Sequence, residues 1–382
     1  MATQSILSPR GFTDPAIFAA EQATLFERTW QFAGLACDVR NDKDFITGTV
    51  GRYPFVIQNF RGRLAALHNV CTHRSAPLQK EERGNRGLYC QYHGWTFDAT
   101  GTPIGIPHNE AFYGITPEEA ACLATKTFEL EALGNLLFVS AKASGPLPQQ
   151  MGEHHELLTS IGGALDQISF RTRIQAACNW KLLVHNAYDD IHAQFVHPQQ
   201  SLNTSEYLSS RWDHHPFDAA IEKIPEDCSR RHARFSVELS EAGRQQNLNA
   251  FADTLARPAF AFDHYLHLVL FPNVIITSVQ GLWYNIVRYR PTSPASTEID
   301  LWVVPSVQQD GVSRVTPETL YRLAVAGLRI FQEDIEAVET SQRNMSSVHR
   351  HATLGHREDK THAFDAAYVS ALARVGVDAA GR

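Results

Sequence analysis

The sequence predicts an α+β protein: an N-terminal helix, a small all-β module, and a larger domain in which helices flank an antiparallel sheet. Three observations predict it. Between about Asp44 and Ser140, short β-rich runs such as ITGTVGRYPFVIQNF and GNLLFVS are broken by Gly, Pro and Asn turns. Residues 264 to 305 read HYLHLVLFPNVIITSVQGLWYNIVRYR, a Pro-Thr-Ser-Pro turn, then EIDLWVVP, the pattern of neighbouring antiparallel strands. After Thr316-Pro317-Glu318 the apolar residues recur at helical spacing to about Arg343.

In chain order, residues 1–43 open with DPAIFAAEQATLFERTWQFAG, which predicts a helix. Asp14 is its N-cap, Pro15 takes the first helical position, and Phe18, Leu25 and Phe26 supply an apolar face that docks on the larger domain. Residues 44–140 make the all-β domain. The polar stretch AKASGPLPQQ at 141–150 marks a boundary, and residues 141–382 make the second domain. No internal repeat or low-complexity tract interrupts this order.

The whole chain excludes several classes. Its 382 residues suggest about two domains, and a formal charge of -7 without an extended basic stripe argues against nucleic acid as a partner. No charged leader with an apolar core opens the sequence, and no run approaches the roughly 18 apolar residues of a membrane span. These features predict a soluble, cytoplasmic protein. Six cysteines are too few for a disulfide scaffold in so long a chain.

Four of the candidate ligands stand as two matched pairs. Cys71 and His73 lie in LHNVCTHRSAPL; Cys90 and His93 follow in LYCQYHGWTFDATG. Two thiolates and two imidazoles suit a tetrahedral zinc as well as an iron-sulfur cluster, so spacing alone leaves both open. The C-x-H and C-x-x-H-G-W loops resemble the cluster-binding loops of Rieske domains. In such a [2Fe-2S] centre, Cys71 and Cys90 would hold one iron and His73 and His93 the other, and neutral imidazoles in place of two thiolates raise the potential. Cys37, Cys122, Cys178 and Cys228 lack partner spacing and read as structural.

A second group lies in HNAYDDIHAQFVH, residues 185–197, among the apolar neighbours Leu182, Leu183, Val184, Phe195 and Val196. Unpaired charge in such a setting costs several kcal/mol, about what a bound metal would relieve. Asp189 and His192 share one helix face, whereas His197, five residues on, lies about 140° away. Both histidines reach one metal only if the helix ends or bulges between them, and Pro198 gives a reason for it to stop. Two histidines need a carboxylate to complete the facial triad of non-haem iron oxygenases. In LYRLAVAGLRIFQEDIEAVETSQ, Asp334 falls on the apolar face with Leu320, Leu323, Gly327, Phe331 and Val338, while Glu333, Glu336 and Glu339 are expected to point away.

With FERTWQFAG, the two cluster loops, Asn179-Trp180-Lys181, the D-x-x-H-x4-H run, LFPN and QEDIEAVE, the chain resembles the catalytic (alpha) subunits of Rieske non-haem iron aromatic-ring-hydroxylating oxygenases over most of its length. HAQFVH resembles the members that remove O-methyl groups from aromatic acids. The resemblance implies a Rieske domain followed by a helix-grip catalytic domain, usually in a trimer. It also implies a bridging carboxylate that carries electrons to the neighbouring subunit. Asp189 stands at that position, between cluster ligand His93 and iron ligand His192, with Asp190 as the competing residue. Asn186 and His185 surround the bridge. Similar enzymes carry Glu or Asp where this chain has His185, which makes His185 a candidate pH-sensitive element rather than a third histidine ligand.

The reaction implied by this resemblance begins with NAD(P)H. Its electrons pass through a reductase to the cluster and then to Fe(2+) held by His192, His197 and Asp334, where O2 is used to hydroxylate, or hydroxylate and demethylate, a small substrate. A ferredoxin between reductase and cluster, and a small beta subunit in the trimer, are compatible with the resemblance. An aromatic substrate leads; a quaternary ammonium substrate is the alternative. An aromatic cage near a carboxylate would favour the cation, and a basic residue an aromatic acid. Trp283, Tyr284, Phe271 and Arg288 lie in the strand region that could line such a pocket, although core packing is the leading reading for them. An electron-transfer protein without oxygenase activity would need the cluster alone and leaves the second group unexplained.

Overall fold

The computed structural model describes residues 3–189, 191–197, 208–214, 232–239, 257–355 and 358–380. The chain divides into two compact units, Gln22–Gln150 and the combination of Met1–Glu21 with Met151–Arg382.

The smaller unit is built on seven antiparallel strands: β2 (Gln31–Leu35), β3 (Asp44–Val50), β4 (Tyr53–Phe60), β5 (Arg63–His68), β6 (Arg83–Asn85), β9 (Thr127–Leu133) and β10 (Leu136–Ser140). Their order is β2-β10-β9-β5-β4-β3-β6. Gly51, at φ +57°, turns β3 into β4; a Cβ there would stand 2.3 Å from Glu27 Cγ, so the tight turn requires glycine. Strand alternation splits the side chains between two cores. Phe55 and Ile57 join Val39, Ile46, Val50 and Val139 in one, whereas Phe45, Val56 and Leu67 join Leu78, Leu88, Trp95, Cys71 and Cys90 in the other. A short hairpin, β7 (Thr96–Phe97) with β8 (Pro103–Gly105), and helices α2 (Asn109–Phe112) and α3 (Pro117–Cys122) complete this layer.

The segment FERTWQFAG departs from its expected helical form. Helix α1 (Pro15–Glu21), started by Asp14 Oδ1 accepting from Ala16 N–H, gives way to a wider turn at Gln22–Phe26, and Gln31–Leu35 is strand β2. Every residue of β2 is buried against β10, and pairing with that strand overrides helix periodicity.

The larger unit holds a second antiparallel sheet in the order β11 (Phe170–Ala176), β17 (Ser296–Pro305), β16 (Trp283–Ser293), β15 (Val274–Val279), β14 (His264–Leu270), β13 (Ala233–Leu239), β12 (Leu208–His214). Its helices are α5 (His155–Ala164), α6 (Trp180–Tyr188), α7 (Ala193–Val196), α8 (Pro317–Met345) and α9 (Asp359–Ala373); the short helix α4 (Leu147–Met151) precedes them. Thr316 caps α8 by accepting from Thr319 N–H, and the 29-residue helix packs on α6, β11 and β17. The N-terminal residues belong to this unit: β1 (Thr3–Gln4) pairs with β18 (Thr353–Leu354), and Glu21 accepts from Trp180 Nε1, Lys181 Nζ and Tyr368 OH. No helix among the described residues is long and apolar enough to cross a membrane.

Candidate metal centres

The two cysteine loops of the smaller unit have one shape. Cys71 N–H donates to Ala76 O and Ser75 N–H to Cys71 O; at the same offsets Cys90 N–H donates to Trp95 O and Gly94 N–H to Cys90 O. The fourth residue after each cysteine is left-handed, Ser75 at φ 58° and Gly94 at φ 77°. These matched turns bring the rings of His73 and His93 to 4.6 Å and place both thiols, unlinked by any disulfide, in the buried second core. Trp95 stacks on His73 at 4.9 Å and fixes its plane. His73 Nδ1 is buried without a hydrogen-bond partner, and burial, helped by Cys90, pushes the Cys71 thiol up to about 11. An orphaned imidazole nitrogen on His73 and a Cys71 thiol that burial disfavours as an anion are what bound iron would satisfy, so this donor set fits a [2Fe-2S] cluster.

In the larger unit the chain breaks where two histidines must converge. Helix α6 ends at Tyr188, and Asp189 leaves it at ψ 124°. Asp189 and His192 therefore do not share a helix face as expected. The one-turn helix α7 runs between His192 and His197, and their rings meet edge to face with centroids 5.5 Å apart. His192 Nε2 and His197 Nε2 lie 3.3 and 3.1 Å from Asp334 Oδ1, on α8. One donor atom from each of the three lies within 4.8 Å of the others. Asp334 Oδ1 is buried and has no hydrogen bond, so the set fits a cation bound by two imidazoles and one carboxylate.

Neighbouring groups orient these donors. Asp189 Oδ2 stands 3.5 Å from His192 Nδ1, and Asp189 Oδ1 accepts from Ile191 N–H at 2.7 Å. Burial alone would raise the Asp189 carboxyl; His192 and that backbone donor hold it below its ordinary value. Burial likewise opposes charge on His192, but Asp189 and Asp334 carry it up to about 9 in the metal-free chain. Asn186 Nδ2 is 3.5 Å from His192 Nε2, and His185 Nε2 is 2.8 Å from Asp365 Oδ1. Asp190 and Cys228 lie outside the described residues.

Glu333 corrects an expectation. Rather than pointing away, its Oε2 lies 2.7 Å from His197 Nδ1, which makes that nitrogen the donor and leaves Nε2 facing Asp334. Glu339 also turns inward, accepting from Ala177 N–H at 2.7 Å. A helical projection missed both because a glutamate side chain is long enough to reach around the helix.

A cavity of about 390 Å³ opens on the three converging donors. The sheet supplies its floor as two cross-strand rungs, Tyr265, Val279 and Trp283, then His267, Thr277 and Asn285; Leu323, Gly327 and Phe331 of α8 form a wall. Burial pushes the Tyr265 hydroxyl up to about 12 and His267 down to about 3, so both stay neutral near pH 7. Asn285 Nδ2 donates to Thr277 Oγ1 at 3.3 Å, while its Oδ1 has no partner. Of the four candidates in the strand region, Trp283 faces the cavity, whereas Tyr284, Phe271 and Arg288 pack away from it, the role that led for them. Tyr284 and Arg288 occupy the opposite strand face, where Arg288 is paired with Asp300, and Phe271 packs on Phe364.

Two family profiles match the chain: Ring hydroxylating alpha subunit (catalytic domain) over residues 167–374, and Rieske [2Fe-2S] domain over residues 29–129. The glycine betaine monooxygenase oxygenase subunit of Pseudomonas aeruginosa is 27% identical over 199 residues, covering 49% of this chain and 44% of that protein. The 2-halobenzoate 1,2-dioxygenase large subunit of Burkholderia cepacia is 30% identical over 196 residues, covering 49% and 42%. The chain thus spans less than half the length of these relatives. Among solved structures, a quaternary ammonium Rieske monooxygenase in complex with L-carnitine superposes with a TM-score of 0.75 at 16% identity, covering 97% of this chain and 95% of that one. The shared fold is that of Rieske oxygenases.

Proposed function

We propose, since the chain belongs to the family of ring-hydroxylating alpha subunits and carries a Rieske [2Fe-2S] domain ahead of the catalytic one, that it is the terminal oxygenase of a multicomponent system. The observation that carries this reading is the convergence of His192, His197 and Asp334 at the mouth of a cavity, in a chain that also holds the Cys71, His73, Cys90 and His93 loops. When bound, the cluster takes up single electrons from a reductase and the mononuclear iron activates O2 beside the substrate. The chain's own residues bind, orient and enclose. Glu333 fixes the ring of His197, Asp189 places its charge beside Nδ1 of His192, and Phe331, Leu323 and Trp283 keep the reacting volume apolar.

Asp189 is the residue we assign as the electron bridge between subunits. Its carboxylate stays ionised beside His192, and its outer side is the contact we assign to His93 of the partner subunit. The corresponding assembly is a homotrimer in the cytoplasm, supplied from NAD(P)H by a separate reductase.

The substrate is a small, largely apolar molecule that is hydroxylated, or hydroxylated at a methyl group that then leaves as formaldehyde. One observation favours a second reading, a quaternary ammonium substrate. Tyr265, Trp283, Tyr289 and Phe331 line the cavity, and none of its described lining residues is Lys or Arg. Aromatic faces attract such a cation, whereas an aromatic carboxylate would want a basic partner. The test is turnover with a surrogate reductase on a panel of aromatic methyl ethers, aromatic acids and quaternary ammonium compounds, scored by product mass and formaldehyde. NAD(P)H-dependent oxygen insertion into any member supports the terminal oxygenase. Reduction of the cluster with no product across the panel supports an electron-transfer protein instead.

A further inference from the structure

We propose that His185 and Asp365 act together as a positioning pair that holds the last turn of α6, and with it Asp189, in place for electron delivery. The proposal rests on the reading of Asp189 as the bridge. Asp365, on α9, is fully buried. Its Oδ2 accepts from Ser5 Oγ at 2.6 Å and its Oδ1 lies 2.8 Å from His185 Nε2, so both oxygens are satisfied only while His185 is present. The imidazole is held edge-on between Phe12 and Phe364, each 5.7 Å away. Three separated parts of the chain, the N-terminal segment, α6 and α9, therefore meet on one side chain.

The backbone of His185 connects this anchor to the metal site. Its carbonyl accepts from Asp189 N–H at 3.1 Å, with Asn186 O sharing the same donor at 3.2 Å. That is the final hydrogen bond of α6, made just before the chain turns at Asp189. The start of α6 is tied down independently, by the Asn179 cap and by Glu21 on Trp180 and Lys181. In the last turn, Asn186 faces His192, and the buried Tyr188 hydroxyl has no hydrogen bond. Among the described residues, His185 is thus the polar tether of that turn to the body of the unit. A helix terminus frays most readily, and losing the tether would widen the range of positions open to the Asp189 carboxylate.

Removing both partners separates positioning from stability, because a buried pair replaced by apolar residues of similar size leaves neither charge unpaired. The experiment compares the holoenzyme of the parent, of H185L/D365L and of the swapped pair H185D/D365H. It reads kcat and KM, amide exchange at Asp189, and the visible spectrum of the cluster. H185L/D365L should keep the cluster spectrum, lose about tenfold in kcat with KM changed less than about twofold, and exchange the Asp189 amide faster. The swap should bring kcat and exchange back to within about threefold of the parent. Parent-like kcat and exchange in H185L/D365L would overturn the proposal, as would a folded swap that restores neither. If H185L/D365L does not fold, the swap decides alone: parent-like kcat and exchange uphold the pair, and loss of either with the cluster spectrum intact overturns it. Full turnover by D189N would instead remove the bridge reading, while exchange at Asp189 still judges the pair.

Discussion

Glu333 shows how a single side chain orients a candidate metal ligand. With its carboxylate 2.7 Å from His197 Nδ1, the imidazole is held in the tautomer and orientation that present Nε2 to Asp334. Glu333→Gln should weaken binding at the mononuclear site by about tenfold to a hundredfold and leave the cluster spectrum unchanged. Titration of metal-depleted protein with Fe(2+) checks this, and an unchanged affinity would show that Glu333 does not orient His197. The paired candidate ligands were legible in the sequence for local reasons: Cys71 with His73, Cys90 with His93, and His192 with His197 each lie within a few residues of each other. Asp334, distant along the chain, was legible only because it interrupts the apolar face of α8, and distant partners without such a pattern were not. Nothing near His185 announces Asp365, which lies 180 residues on, and Glu333 was hidden by a projection that considers only where Cβ points.

At the scale of elements, the sheet of the larger unit separates its two faces by chemistry. One face lines the cavity; the other surrounds the fully buried Asp300 with Arg171, Arg173, Arg288 and Arg290. Burial alone would raise the Asp300 carboxyl, but Arg288, Arg290 and Arg173 hold it well below its ordinary 3.8. A depressed carboxyl stabilises the fold fully above that ordinary value, and the contribution is lost as pH falls through the lower folded value. Asp300→Asn, which strands the buried Arg288, should cost about 3–5 kcal/mol near pH 7, with the gap to the parent narrowing in acid. Denaturant unfolding at several pH values measures both. Helix α8 offers the opposite case. Gly327 lies in its middle, and a Cβ there would meet only Asn285 Oδ1, at an ordinary 3.8 Å. Gly327→Ala should stabilise the helix by about 0.5–1 kcal/mol while trimming the cavity. The expected signature is a higher melting temperature with a lower kcat/KM for the bulkier members of a substrate series. The strands and α8 could be read from their periodicity, whereas the end of α6 could not. HNAYDDIH contains neither Gly nor Pro, and Asp189 leaves the helix in a local turn, its side chain accepting from Ile191 N–H and standing beside His192.

For the whole molecule, the proposed function has two metal centres working together across an assembly. If electrons cross between subunits, co-expression of Cys71→Ser chains, which lack the cluster, with Asp334→Ala chains, which lack the iron, should recover activity absent from either variant alone. Mixed assemblies as inactive as the pure ones would place electron transfer within one subunit. The central claim is that His192, His197 and Asp334 hold the iron at which substrate is oxidised. His192→Ala tests it most directly, by comparing cluster spectrum, iron content and product formation in the same preparation. The predicted result is an intact cluster spectrum with mononuclear iron and product both lost; full turnover by His192→Ala would contradict the claim.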